Sequence, residues 1–228
     1  MTGPASVDPP EISDDLDRVD IADLTDGDDV DDALVTGDLT SGALDRLSLF
    51  GCRLDRVQLT GSTFAELELE DVVLVDCELS GVTLSGAKLR RVRFEGCRMS
   101  GLSTADLHAE HVSFVDARLD DAWFRMAAID RAEFVDCDLR RADFYAASVK
   151  RTGFLGCDLT GAEFSQAVVS ALRLERTTVY DLGGIGYLRD IVLAPDQVVS
   201  FALVFLASFG ITVDDPTPTE QSAGPSDG

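Results

Sequence analysis

From Leu34 to Val179 an apolar residue recurs at nearly every fifth position. Of the thirty positions on this grid, twenty-eight hold Leu, Phe, Met, Ile or Val, among them Leu54, Phe64, Leu74, Phe94, Phe114, Phe134 and Phe154. Two residues before each lies a second, mostly small position, as at Val57, Ala87, Val92, Ala132 and Ala162, and all five cysteines fall there. A period of five fits neither a helix nor a plain strand. It fits stacked units, none of which can bury its apolar side alone. Cys77, Cys97, Cys137 and Cys157 share one phase of a twenty-residue cycle, and Gly61, Gly81, Gly101 and Gly161 share another. Four units therefore make one turn, and one corner demands a positive φ. The pattern predicts an all-β solenoid of seven to eight coils, about 35 Å long at a strand spacing of roughly 4.8 Å.

The rhythm changes only across "GLSTADLHAEHVSF" (101–114), which holds the two histidines, His108 and His111. Here Thr104 and Ala109 take the bulky positions while Leu102 and Leu107 take the small ones. Exchanging large and small between two inward positions conserves core volume, which cores tolerate. Both histidines fall at outward positions. The expectation is a locally repacked coil with surface histidines, not an active site.

"CDL" (137–139 and 157–159), "ADF" (142–144) and "AEF" (132–134 and 162–164) resemble the signature of the pentapeptide-repeat family. The resemblance covers about 32–181. It implies a right-handed quadrilateral β-helix in which the bulky residue and the small one before it point inward. It implies a fold and assigns no activity.

Beyond Val179 a helix is expected from about Pro195 to Phe209, with Pro and Asp in the first turn and Gly210 closing it. Its apolar residues run nearly all the way round, so one side should cap the coil and the other meet a second subunit. Val198, Phe201, Ala202, Phe205 and Phe209 are the candidate dimer interface. A membrane span is disfavoured, because Val198 to Val213 is shorter than the roughly 20 residues needed. It is also flanked by Asp196 and Asp214 rather than by Lys or Arg. "DQVVSFALVFLASFGITV" is similar to the C-terminal helix of the mycobacterial fluoroquinolone-resistance pentapeptide protein. That resemblance implies a homodimer. It also supplies an alternative function, a DNA-shaped rod that engages DNA gyrase.

Composition narrows the rest. With 228 residues, 45% of them apolar, the chain can bury one substantial core. No apolar signal follows a basic N-terminal stretch, so the cytoplasm is expected. The cysteines are odd in number, sit where the core wants small residues and are expected reduced. The net charge of −23 is concentrated at the ends. Residues 1–38 carry thirteen acids and one base, residues 39–179 twenty-two acids and seventeen bases, and residues 180–228 seven acids and one base. A coil body so nearly balanced lacks the continuous negative field of a DNA mimic. The expected organisation is an acidic, largely disordered arm or partial cap at 1–31 and the coil at 32–181. A capping and dimerisation helix follows at 182–213, then a disordered tail at 214–228.

Two surfaces stand out. Arg91, His111, Arg131 and Arg151 share one column beginning at Asp71. They form either an anion-binding stripe or one side of a set of cross-coil ion pairs helped by Glu110 and Asp130. Trp123, Arg125 and Tyr145 lie together on another face, where Arg125 can stack on Tyr145, and outward aromatics are candidate anchors for a partner. There is no phosphate-binding loop, no metal or cofactor site and no cavity for a catalytic triad. The sequence thus reads as a non-catalytic, dimeric scaffold for an unidentified protein partner, with no membrane and no direct nucleic-acid binding.

Overall fold

The computed structural model describes residues 6–213. Ten parallel strands stack along one side of a column: Asp17–Asp20, Ala33–Thr36, Arg53–Asp55, Glu68–Val75, Lys88–Glu95, His108–Val115, Ala128–Val135, Gly153–Leu155, Leu172–Glu175 and Ile191–Leu193. The chain is a right-handed quadrilateral β-helix of about nine turns ending in one α-helix. A second sheet runs from Ala43–Asp45 through Thr63–Ala65 and Thr83–Ser85 to Ser103–Ala105. Single bridges at Trp123, Asp143 and Glu163 continue it.

The body repeats every twenty residues, with Phe94 opposite Phe114 and Phe114 opposite Phe134. Two inward ladders fill the interior. Phe94, Phe114, Phe134 and Phe154 stack with ring centroids 4.7 to 4.8 Å apart. Phe124, Phe144 and Phe164 form a second stack at 5.1 and 4.8 Å. The two stacks meet edge to face at 6.0 to 6.5 Å. Such pairs each contribute about 0.5–1.5 kcal/mol beyond the area they bury. The second stack stops at Thr104, which is buried and donates its hydroxyl to the Trp123 carbonyl at 2.9 Å. Leu102, Leu107 and Ala109 are also buried, so the grid keeps its phase here and only exchanges sizes.

A positive φ is used at all four corners, not one. The residue two places after each grid position adopts it, as at Arg91 (50°), Met126 (59°) and Arg141 (58°). These non-glycine residues are held there by backbone hydrogen bonds to the next coil, such as Met126 N–H to the Tyr145 carbonyl at 2.9 Å. At Gly101 an added Cβ would meet nothing within 4 Å, so its φ of 66° alone favours glycine.

Both ends differ from the sequence expectation. Leu34 is not an inward position: it sits opposite Arg53, while Val35 sits opposite Leu54 and is buried. One residue is missing from the repeat near Gly37, whose φ is 105°. The acidic segment at 1–31 was expected as a largely disordered arm or as a partial cap, and within it Asp17–Asp20 and Asp29–Asp31 form strands. Asp17–Asp20 pairs with Ala33–Thr36, and Ile21 is buried as the plug of this end. One buried isoleucine and a hydrogen-bonded edge are enough to order a run that composition alone reads as solvated.

At the other end the coil passes residue 181. Leu182 and Ile185 are buried, and Ile191–Leu193 pairs with Leu172–Glu175. Gly184 is irreplaceable here, since a Cβ would lie 2.1 Å from the Ser165 nitrogen. A 3-10 turn, Pro195–Gln197, leads into the helix Val198–Ser208. Gly210, with φ of 71°, closes it by donating to the Ala207 carbonyl at 2.9 Å. The tail expected at 214–228 lies outside the described residues. Among the described residues no helix is long and apolar enough to cross a membrane.

Candidate functional site

Stacking at one coil per twenty residues places side chains of equal phase directly above one another, and this builds every surface feature. In the column starting at Asp71, Arg91 is held by two carboxylates. Its Nε donates to Asp71 Oδ1 at 2.6 Å and its Nη2 to Glu70 Oε1 at 2.6 Å. Arg131 donates to Glu110 at 2.5 Å, and Arg151 donates to Asp130. Beside them Arg90 meets Glu70 at 3.0 Å and Lys88 meets Glu68 at 3.7 Å. The Arg91 guanidinium hydrogen-bonded to Asp71 holds that carboxyl below the usual carboxylate range. Every arginine of the column therefore faces a carboxylate already. The acids one position before the column, Glu70 with the expected Glu110 and Asp130, supply most of the pairing.

The two histidines separate. His108 is exposed, whereas His111 is half-buried and its ring is engaged on both sides. The Asp8 backbone N–H donates to Nδ1 at 2.9 Å, and Arg131 Nη1 lies 3.3 Å from Nε2.

On the face centred on Phe124, the Arg125 guanidinium carbon lies 4.7 Å from the Tyr145 ring centroid, and its Nε lies 3.2 Å from Asp143. Trp123 beside it is 55% exposed, and Met126 at the adjoining corner is 66% exposed. Sequence reasoning missed Met126. Its signal was the corner phase, two places after Phe124, where a large apolar side chain cannot turn inward.

The C-terminal helix rests on the coil through Phe201 and Val204 and has no fully buried residue. Of the residues expected at a dimer interface, Phe201 thus faces its own coil. Positions 201 and 204 lie three apart on one helix face, which is the docked one. Val198, Ala202, Phe205 and Phe209 are exposed, together with Val199, Leu203, Ile211 and Val213.

All five cysteines are free and buried. The Cys157 thiol donates to the Phe134 carbonyl at 3.2 Å and the Cys137 thiol to the Phe114 carbonyl at 3.4 Å. Hydrogen bonding to the Cys77 thiol and burial push the Cys97 thiol up, and Cys157 and burial do the same for Cys137. Burial raises Cys52 as well. Because all five side chains are buried, a thiol reagent at neutral pH should label none of them in native protein and all of them in denaturant, as counted by mass spectrometry. Rapid labelling of the native coil would contradict the buried ladder. Among the described residues no three His, Cys, Asp or Glu side chains converge as metal ligands.

Comparison with known proteins places this geometry. The family model described as pentapeptide repeat region matches residues 47–124, and that described as pentapeptide repeats (8 copies) matches residues 137–171. This chain belongs to the pentapeptide-repeat family. Solved structures similar to it include full-length QnrB1, a plasmid-mediated fluoroquinolone resistance protein. It is 20% identical over 85% of this chain and 95% of that chain, with a TM-score of 0.47. Another is HetL, a pentapeptide-repeat protein involved in heterocyst differentiation regulation from the cyanobacterium Nostoc sp. strain PCC 7120. It is 19% identical over 69% of this chain and 87% of that one, with a TM-score of 0.29. A third is Rfr23 from the cyanobacterium Cyanothece 51142, 16% identical over 59% and 62%, with a TM-score of 0.26. No curated protein matches the chain.

In this pentapeptide-repeat coil a further residue, silent in the sequence, locks the C-terminal end. The Gln197 side chain is buried, and its Oε1 accepts the Thr177 backbone N–H at 3.0 Å. Thr177 continues the cysteine column, and its hydroxyl donates to the Phe154 carbonyl at 2.9 Å as the thiols below it do.

Proposed function

We propose that this pentapeptide-repeat protein is a non-catalytic scaffold that binds a protein partner through the face bearing Trp123, Arg125, Met126 and Tyr145. It acts as a homodimer joined by the exposed side of its C-terminal helix. The observation that carries the reading is the pairing of two exposed apolar side chains, Trp123 and Met126, with an Arg125 already fixed against Tyr145 and Asp143. Aromatic and arginine side chains on a rigid support lose little entropy on binding and are the usual anchors of interfaces. Arg91, Arg131 and Arg151 are each engaged in a cross-coil ion pair, which supports the Trp123 face over an anion-binding stripe.

The test compares wild type with Trp123→Ala/Arg125→Ala as bait for crosslinking in the source cell. The expected result is a partner captured by wild type and lost at least tenfold in the variant, with unchanged melting of the coil. Equal capture by both baits overturns the Trp123 face. DNA gyrase is the second reading, resting on the likeness of "DQVVSFALVFLASFGITV" to the C-terminal helix of the mycobacterial fluoroquinolone-resistance pentapeptide protein. Inhibition of gyrase supercoiling by purified protein would promote it above the first. Light scattering of wild type against Phe205→Asp/Phe209→Asp reads the dimer: a wild type already monomeric removes it.

A further inference from the structure

The N-terminal segment lies along the outside of the coil, across a column that belongs to residues far away in sequence. Asp8 N–H donates to His111 Nδ1 at 2.9 Å, and the Asp8 carboxylate lies 3.4 Å from the same nitrogen. Three residues on, Glu11 N–H donates to Asp71 Oδ1 at 3.0 Å. His111 and Asp71 are two coils apart in one column, roughly 10 Å at the strand spacing. The linker between the two donors is Pro9–Pro10. Proline holds the residue before it extended, and a polyproline chain rises about 3.1 Å per residue, so three steps span roughly 9 Å. The spacing of donors thus matches the spacing of acceptors.

The prolines serve a second purpose. Having no N–H, they leave no unpaired donor over the surface between the two anchor points. Val7, Pro10, Ile12 and Leu16 are half-buried against the coil, while Asp8, Glu11, Asp14 and Asp15 stay exposed. The segment is an acidic extended chain seated along the solenoid axis beside Arg91 and Arg131. Its attachments are two backbone hydrogen bonds and four half-buried apolar side chains. Only the tether, which sets a millimolar effective concentration, keeps so weak a contact closed.

We propose that residues 6–16 are a displaceable strap. The corner column they cover, from Asp71 to Arg131, is a docking seat for an extended peptide that presents two backbone donors three residues apart along the coil axis, which the strap occupies in cis. A partner supplying such a segment competes with the strap, and the corner side chains, not the coil faces, read it. This seat lies one face away from Trp123 and stands whether or not that face binds anything.

The test keeps the full chain and removes the two donors, with the carboxylates beside them, in Asp8→Pro/Glu11→Pro. His108 is the internal standard, being exposed in the same coil. In wild type, carbethoxylation of His111 should be about tenfold slower than that of His108. In the variant the two should react at similar rates, with coil melting unchanged. A synthetic peptide of residues 6–16 at millimolar concentration should then shift the His111 ring resonances of the variant, leave those of His108 in place, and shift neither in wild type. His111 reacting equally fast in wild type and variant overturns the strap. A peptide that moves both histidines of the variant, or neither, overturns the seat.

Discussion

Replacing Phe134 with Ala should destabilise the coil by about 3–5 kcal/mol, the range found when a fully buried aromatic is truncated in a packed core. Phe134 is 0% exposed and lies at the middle of the longer ring stack, 4.7 Å from Phe114 and 4.8 Å from Phe154, with Phe124 edge-on at 6.5 Å. Its backbone is fixed between two coils by the strand ladder, so neighbouring rings cannot close the gap by sliding along the axis. In a solenoid each coil touches only its neighbours, and the loss falls on both interfaces of this one coil. Urea denaturation should show a lower midpoint together with a broader transition, because the two halves begin to unfold separately. Met126→Ala is the matched control. That side chain is exposed and its removal should change stability by no more than about 0.5 kcal/mol. A Phe134→Ala loss below about 1 kcal/mol would mean that the rings do not hold the coils together.

Gln197→Leu should have the second largest effect. Leucine keeps the volume of the side chain and removes only its amide. Thr177 N–H, buried at the last coil where no further strand accepts it, is then left without a partner. An unsatisfied buried donor costs about 1–3 kcal/mol. Gln197 also ends the turn from which the helix Val198–Ser208 starts, so its loss should free the helix from the coil. Hydrogen exchange of residues 195–213 should accelerate well before that of the central coils, and limited proteolysis should cut near residue 195. If exchange at the helix is unchanged, then Phe201 and Val204 alone dock it and the Gln197–Thr177 contact is incidental.

Much of this architecture was legible because each coil repeats the same local problem. Leu102 and Leu107 show how far that goes. Both break the size rule, yet both are buried, because the phase of five fixes which way a side chain points whatever its volume. The cysteines were readable for the same reason. They occupy an inward column that admits only small residues, which Thr177 then joins with a hydroxyl in place of a thiol. The candidate surface at Trp123, Arg125 and Tyr145 was legible too, since two residues twenty apart on one face must be neighbours. The arginines of the 91–151 column were half legible. Their stacking and the pairing acids Glu110 and Asp130 were evident, but the sharing of Arg91 between Asp71 and Glu70 depends on how each side chain leaves the corner.

What stayed illegible is whatever has no repeat partner. Leu34 faces outward because one residue is dropped near Gly37. A single deletion at the end of a periodic run leaves the period intact on either side and is invisible without the register. Ile21 looked like one apolar residue in an acidic run, and only the open end of the coil makes it a plug. Gln197 gave no sign of replacing a backbone carbonyl. The contacts of Asp8 with His111 and of Glu11 with Asp71 join positions 103 and 60 residues apart, and no local preference encodes them.

By itself, then, the sequence determined the coil: its period, its inward ladders, its buried thiols and the helix that ends it. Those features follow from excluding apolar side chains from water in a unit that recurs every five residues, so that each unit confirms the next. Only the tertiary structure decided how the two ends are closed and which charges are already paired. It alone showed where the acidic segment lies. Those outcomes rest on single hydrogen bonds and single side chains meeting across the stacked coils, and a contact made once leaves no period to read.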